Sequence, residues 1–522
     1  MADPQFPHPE NAVISSPRGA NRPFNWEMSE SRFSLLFLPF VVGIPFVAFS
    51  ILALRHFYIL GGFWGDSGVI AFILWRSDLL LHTPLVAGGA SFFATHVSPI
   101  FIPISMLSRV LPLTKVQFFA AFTGACYMLP AVAVYWLFVS SYRLRSIFGA
   151  AILSLLFAFN GIALAAARNP HFEMLIIGSG MIFLVAFVQR KFWLATLSFA
   201  ICLATREDAG FDLFALFAVT VGLSCWRAVP LRQQKPLILY GILALAYSTA
   251  AIILQRKFFP GGGAFSRVYL GAPAFHGITW QHIADRLGFY MAYRLYIFMP
   301  GFVALAWAIR LRDPYIVAGY FAFIPWGILH LLAASPIAST LSNYYSFPFI
   351  FALFWPVIGL LIEQRLTGRA MDTRVKPILG FTLMLLASFM DLSVQHNPGH
   401  LNFPVSFFFA PSLVQQKTTG AAVQNFVKSR LVFGHLAVDG SIAALDPDHY
   451  DESELVSSIQ IQPPNSIIFF AHGYEAPLAL AVAAQAGLQQ LYQIPGTPLR
   501  VATDRPLNGV FGLVPVRPVA QK

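Results

Sequence analysis

Five short polar groups interrupt an otherwise apolar chain. They are Asp66 in GDSG, His96 in THVSP, His171 and Glu173 in NPHFEM, Arg206, Glu207 and Asp208 in TREDAG, and Tyr344 and Tyr345 in SNYYS. Carboxylates, imidazoles and guanidinium groups move protons and receive developing negative charge. A carboxylate general base activates an attacking hydroxyl, whereas a phosphate leaving group needs cations or N–H donors rather than a strong acid. The set therefore suits transfer of a sugar from a lipid phosphate. Asp66 is the expected base, and Arg206, His171 and the free amides of a helix start would receive the phosphate. Asp66, Glu173 and Asp208 supply hard oxygen ligands of the kind Mg²⁺, Mn²⁺ or Ca²⁺ would take as a cofactor.

Each group also has a plain structural use. Asp66 between glycines suits a turn, His96 suits an interface, and Glu173, shortly after Pro170, complements a helix dipole. Arg206, Glu207 and Asp208 suit a solvated connection, and the two tyrosines suit an interfacial aromatic belt. What favours a site is their sidedness, which depends on the elements between them.

Of the 522 residues, 57% are hydrophobic and only 11% charged, the composition of a polytopic membrane protein. The net charge of +11 is spread in small basic clusters between apolar runs, which excludes a nucleic-acid partner and fits loops on one side of a bilayer. Cys126, Cys202 and Cys225 lie in apolar segments without metal-ligand spacing. Residues 1–32 are polar and Pro-rich, with no cleavable signal, and read as a disordered cytoplasmic tail.

A crossing needs about 20 apolar residues. The expected fold is all-α, with eleven candidate crossings at 33–54, 114–140, 147–167, 173–189, 192–205, 210–226, 237–255, 295–309, 315–333, 345–363 and 378–395. The runs from 192 and 295 are short enough to be re-entrant. With the N-terminus inside, every inner loop is basic, as in Arg143 and Arg145, Arg190 and Lys191, or Arg227, Arg232 and Lys235. All five polar groups then fall on the outer face. Runs 69–81 and 99–113, in the long first outer loop, read as interfacial helices. The glycine run at Pro260–Gly263 reads as a mobile loop.

The transmembrane domain thus covers 33–395. Residues 396–522 are more polar and read as a small extracytoplasmic α/β domain, with strands at 431–436, 466–471 and 499–502 and a helix over 476–488.

In that order, GDSG, HVSPI, PHFE, REDAG and NYYS resemble the motifs of the bacterial and archaeal membrane family catalogued as domain of unknown function 2079, over about residues 60–510. That family looks like a branch of the GT-C superfamily of glycosyltransferases, which use polyprenyl-phosphate-linked sugars. The resemblance implies an inner-membrane protein with Asp66 catalytic, and carries His96, His171, Glu173, Glu207 and Asp208 as motif positions. Arg206 stands where the family usually has Lys. The implied partners are the bilayer, a polyprenyl-phosphate-sugar donor and a glycan, lipid or protein acceptor. Two other readings compete: a transporter or flippase of a lipid-linked sugar, and a non-catalytic envelope assembly protein.

Overall fold

The computed structural model describes residues 28–59, 65–76, 78–82, 91–142, 146–167, 170–259, 266–271, 273–275, 278–341, 343–368, 375–390, 418, 435–439, 454–455, 463–471, 476–507 and 512–516. The expected disordered tail lies outside them up to residue 27, as does the glycine run at 260–263.

The helices are α1 (Met28–Ile59), α2 (Gly65–Arg76), α3 (Phe101–Ser108), α4 (Lys115–Ser140), α5 (Ile147–Ala158), α6 (Gly161–Ala166), α7 (Met174–Val188), α8 (Phe192–Thr205), α9 (Ala209–Trp226) and α10 (Leu231–Phe258). They continue with α11 (Trp280–Tyr293), α12 (Leu295–Leu311), α13 (Ala318–Ala322), α14 (Ile324–Leu331), α15 (Pro336–Ser339), α16 (Pro348–Thr367), α17 (Val375–Ala387) and α18 (Ala476–Gln485).

Among the described residues, seven helical stretches are long and apolar enough to cross a membrane, or eight if the bent α11–α12 pair is one span. This is fewer than the eleven runs read from hydropathy. The helices at 174–188, 192–205 and 377–387 are apolar but shorter than a usual crossing. The chain is a mostly helical membrane protein.

Close backbone approach holds the bundle. At Gly124 of α4 a Cβ would overlap the Phe46 carbonyl oxygen of α1, and at Gly210 of α9 it would overlap Ala244 of α10. Small residues at such crossings let helices meet without a hydrophobic driving force. The break between α5 and α6 is closed by Asn160, whose Oδ1 accepts from Ile162 and Ala163 N–H at 3.0 Å each, while Ser388 accepts from Gly161 N–H. The backbone groups freed by the break are thereby satisfied.

Contacts define two ends of the bundle. At one, here called the site end, Gln255 at the end of α10 donates to the Phe93 carbonyl at 2.9 Å. At the other, Arg227 after α9 pairs with Glu363 of α16 and with Asp313, and the Tyr142 hydroxyl donates to Val357 O at 2.6 Å.

The strands expected at 466–471 and 499–502 are present, the helix expected over 476–488 runs over 476–485, and of the strand expected at 431–436 only residues 435–436 are described, with the strand itself starting at Leu436. Strands β1 (Leu436–Val438), β2 (Glu454–Leu455), β3 (Ser466–Phe470), β4 (Gln490–Gln493), β5 (Leu499–Thr503) and β6 (Val514–Pro515) form one mixed sheet in the order β2-β1-β3-β5-β4-β6. Strand β1 runs parallel to β2 and β3, and the other pairings are antiparallel. Alternation divides the side chains between two faces. Ile467, Phe469 and Ala502 pack with Ala479 and Ala483 of α18, whereas Ile468, Phe470 and Val501 pack with Phe72 of α2.

That contact corrects the interfacial reading of 69–81. Helix α2 ends at Arg76, and its other side chains, Ile70, Ala71, Ile73 and Leu74, pack against Phe92, Phe93, Phe101 and Phe119. An apolar run buried all round sits between two layers rather than on a bilayer. After it, Asp78 accepts from the Leu80 and His82 N–H groups and meets His82 Nδ1 at 2.7 Å, a local turn apart from the other polar groups. The second run is one-sided: Phe101, Ser105 and Ser108 are buried, while Met106, Leu107 and Val110 project outward.

Candidate functional site

Three separate connections meet at the site end. The first follows a short 3-10 turn, Phe92–Ala94, capped by Ser91, whose Oγ accepts from Phe93 N–H at 3.1 Å. It is stitched to the end of α8 by a hydrogen bond from Ile100 N–H to Ala204 O at 3.0 Å. The second leads into α7 through Pro170, His171, Phe172 and Glu173, the residue before the helix. The third is the tight α8–α9 link, Arg206, Glu207 and Asp208.

Glu207 ties the third connection to the first. One oxygen accepts from Val97 N–H at 2.9 Å, and the other lies 3.0 Å from His96 Nδ1. Burial pushes the Glu207 carboxyl up, but His96 and then Arg206 overcome it and hold it well below the ordinary carboxylate range. Such a carboxylate fixes the ring orientation of its imidazole partner.

Arg206 ties the third connection to the second. Its backbone is extended at the end of α8, and the guanidinium lies between Glu173 on one side and a two-pronged contact with Asp208 on the other. Its central carbon stands 5.6 Å from the centre of the Phe347 ring. Glu173 also faces His171 Nδ1 at 3.3 Å. Arg206, Glu173 and His171 are all buried, so each charge relies on the others in place of water.

Phe172 is the apolar seam under the two histidines. Its ring lies 4.5 Å from that of His171, 6.1 Å from His96 and 4.9 Å from Phe101. Phe172 and Phe347 escape a search for polar motifs, although each adjoins one in the sequence.

A second wall is aromatic. Rings of Trp326, Tyr345 and Tyr269 surround His330 at 4.7, 5.1 and 5.2 Å. His330 Nδ1 donates to Ala338 O at 2.7 Å, which leaves Nε2 as the acceptor nitrogen. Burial pushes the Tyr269 phenol up, with Arg206 opposing. Asp212, one turn into α9, is buried within electrostatic reach of Asp208 and Arg206. Trp326 and His330 are readable as an i, i+4 pair, but the contact of both rings with Tyr269 has no local signal.

No family model matches the chain, and no curated protein matches it.

The structure therefore brings together His96, His171, Glu173, Arg206, Glu207 and Asp208, and sets Tyr345 on the adjoining wall. The backbone of Asp66 falls in the first turn of α2, and its side chain, like that of Tyr344, lies outside the described residues.

Two expectations are sharpened by the ion pairs. Arg206 is fully engaged by carboxylates, so an arriving phosphate must compete with Glu173 or Asp208 for it. Among the described residues no group of three or more His, Cys, Asp or Glu side chains is arranged to hold a metal ion. Glu173 and Asp208 direct their oxygens to a guanidinium, a donor arrangement that does not fit a divalent cation unless Arg206 is released.

Proposed function

We propose that the protein is a membrane glycosyltransferase of GT-C type, moving a sugar from a polyprenyl-phosphate-linked donor to an acceptor hydroxyl on the extracytoplasmic face. The observation that carries this reading is the convergence of three connections through the adjacent Arg206 and Glu207, with Arg206 reaching Glu173 and Asp208 and Glu207 reaching His96, and with His171 beside Glu173. A buried guanidinium whose carboxylate partners can be exchanged for a phosphate suits a lipid-phosphate leaving group. Paired imidazoles and carboxylates handle the proton that the acceptor hydroxyl gives up. The reading assigns that proton first to Asp66, in the first turn of α2.

The finer topology belongs to this proposal. With α7, α8, α12 and α17 taken as crossings, the path makes eleven traverses and the five polar motifs share the outer face. In support, α7 leaves Glu173 at the site end and reaches Gln189, which bonds Ser140 at the other end, and α8 returns to Arg206. A helix of 15 residues covers about 22 Å, short for a bilayer core but enough for this traverse.

The transport reading draws less support. Transporters gather substrate groups near the midplane on interrupted helices. Here Asp212 and His330 lie in the first turn of α9 and the last turn of α14, and the α5–α6 break is internally satisfied by Asn160 and Ser388.

The test is transfer of labelled sugar from a polyprenyl-phosphate donor in sealed proteoliposomes with no solute gradient. Wild-type protein transfers sugar, and Asp66→Asn inserts and accumulates normally but does not. Transfer by Asp66→Asn at the wild-type rate removes Asp66 from the mechanism. Donor movement across the bilayer without transfer favours the flippase.

A further inference from the structure

Helix α11 has three faces where a helix packed at the edge of a soluble protein has two. One faces the protein: Tyr290 is buried and its hydroxyl donates to Ser339 O at 2.8 Å, while Arg286 donates to Leu331 O at 2.6 Å. A second is polar: Gln281 donates to Asp285 across one turn at 2.7 Å, and both are exposed. The third is apolar and exposed. Trp280, Ala284, Leu287 and Met291 recur at i, i+4, i+7 and i+11, a continuous stripe on a 3.6-residue helix. Trp280 is 86% exposed, Met291 48% and Leu287 45%.

The stripe stays half or more exposed, or nearly so, and a continuous exposed apolar stripe calls for an apolar surrounding. The direction of the helix says which. It is bent 81° from α12, with Arg294 alone between them. Helix α12 exposes Phe302, Leu305 and Ile309, as a lipid-facing helix does. If α12 runs along the bilayer normal, α11 lies nearly in the plane of the bilayer at the level where α12 emerges, and its apolar stripe continues the lipid-facing surface.

We propose that α11 is an in-plane helix seated in the membrane–water interface at the site end, with Trp280, Ala284, Leu287 and Met291 against the acyl chains and Gln281 and Asp285 toward water. A tryptophan at the free end is the usual anchor at headgroup level. The two cations are not on the lipid stripe: Arg286 caps a carbonyl, and Arg294 donates to Thr340 O at 2.8 Å and stacks on Phe289.

This seat reaches the polar cluster. Helix α11 grips Leu331, Ser339 and Thr340, the stretch between them pairs with 268–269 through Ala334 N–H to Tyr269 O and Ser335 N–H to Val268 O, and Tyr269 lies against His330. Lipid under α11 thereby sets the aromatic wall beside Arg206. The proposal does not depend on sugar transfer.

The test is site-directed spin labelling of the full-length protein in phosphatidylethanolamine–phosphatidylglycerol nanodiscs. Cys225 is the exposed cysteine and is replaced by Ser, while Cys126 and Cys202 are buried. Single labels are introduced by Ala284→Cys, Leu287→Cys, Met291→Cys, Gln281→Cys and Asp285→Cys. The expected result is an accessibility ratio, oxygen over a water-soluble nickel chelate, several-fold higher at 284, 287 and 291 than at 281 and 285. Equal nickel access at all five positions overturns the proposal, as does spin–spin broadening at 284, 287 and 291, which would mean that a second copy of the chain covers the stripe.

Discussion

Glu207 holds two consecutive residues of the first long connection at once, His96 through its ring and Val97 through its backbone, across 111 and 110 residues of sequence. A single carboxylate therefore fixes both the position and the ring orientation of His96. The Glu207 carboxyl, ordinarily near 4.5, is held at about 2 in the fold, where burial is outweighed by His96 and Arg206. Because the folded value is the lower one, the pair stabilises the protein above the ordinary value and that contribution is lost as pH falls through the folded value. The Tm gap between wild type and Glu207→Gln in detergent should shrink as pH falls from about 5 towards about 2. A gap that widens on acidification would mean the pairing is not what stabilises this connection.

Arg206 supports a different prediction, because it is buried between two carboxylates. Arg206→Met strips Glu173 of its guanidinium partner in the interior, leaving it only His171, and should destabilise the protein by about 3–5 kcal/mol. The triple variant Arg206→Met, Glu173→Gln, Asp208→Asn removes the stranded charges and should recover most of that loss. Thermal unfolding in detergent measures both. A single variant that melts with wild type would show that water reaches Glu173 and that the cluster is not structural.

The parts of the fold that were legible in the sequence are those set by local hydropathy. The run 114–140 is α4 to within a residue, because the crossing requirement acts on consecutive positions and Thr114 with Gln117 marks its start as a capping box. The expected strand 466–471 holds to within a residue and the expected helix 476–488 over 476–485, for the same reason. Helix α11 was not legible. Its lipid stripe is interleaved with Gln281, Asp285 and Arg286, so a hydropathy window averages the faces away. Nor was the fate of 69–81, since an apolar run suits a bilayer surface and a slot between two protein layers equally well. At the site, the residue types were legible, whereas the pairings were not. His96–Glu207 and Glu173–Arg206 are tertiary contacts, and nothing at His96 announces a carboxylate 111 residues away.

Helix α9 contains a matched pair of glycines. A Cβ on Gly210 would overlap the Ala244 carbonyl oxygen and Ser248 Oγ, which also accepts from Gly210 N–H at 3.0 Å. A Cβ on Gly222 meets nothing within 4 Å. Gly210→Ala should force α9 and α10 apart just after Arg206, Glu207 and Asp208, lowering Tm and loosening the α8–α9 link. Gly222→Ala should leave Tm unchanged or raise it, since Ala is favoured over Gly in a helix by about 1 kcal/mol. Equal effects from the two would mean that the α9–α10 crossing is not close-packed.

Phe72 joins the C-terminal sheet to the rest of the protein. Its ring packs with Ile468, Phe470, Tyr492 and Val501 on the sheet face opposite α18, and the Lys115 ammonium lies 4.6 Å from its centre at the start of α4. Ile73, the next residue, turns the other way toward Phe93 and Phe119. Phe72→Ala removes an aromatic side chain from a closed contact and should weaken the docking of the sheet by about 3–5 kcal/mol. The expected readout is faster proteolytic release of a fragment containing 436–507 and faster amide exchange in β3 and β5, with the bundle still inserted. Ile73→Ala should loosen the connection carrying His96 and leave release of the fragment unchanged. Because Asp66 lies on the same helix six residues before Phe72, Phe72→Ala should also reduce any activity that depends on Asp66, and a variant that sheds the sheet while keeping full activity would show that the sheet does not position that helix.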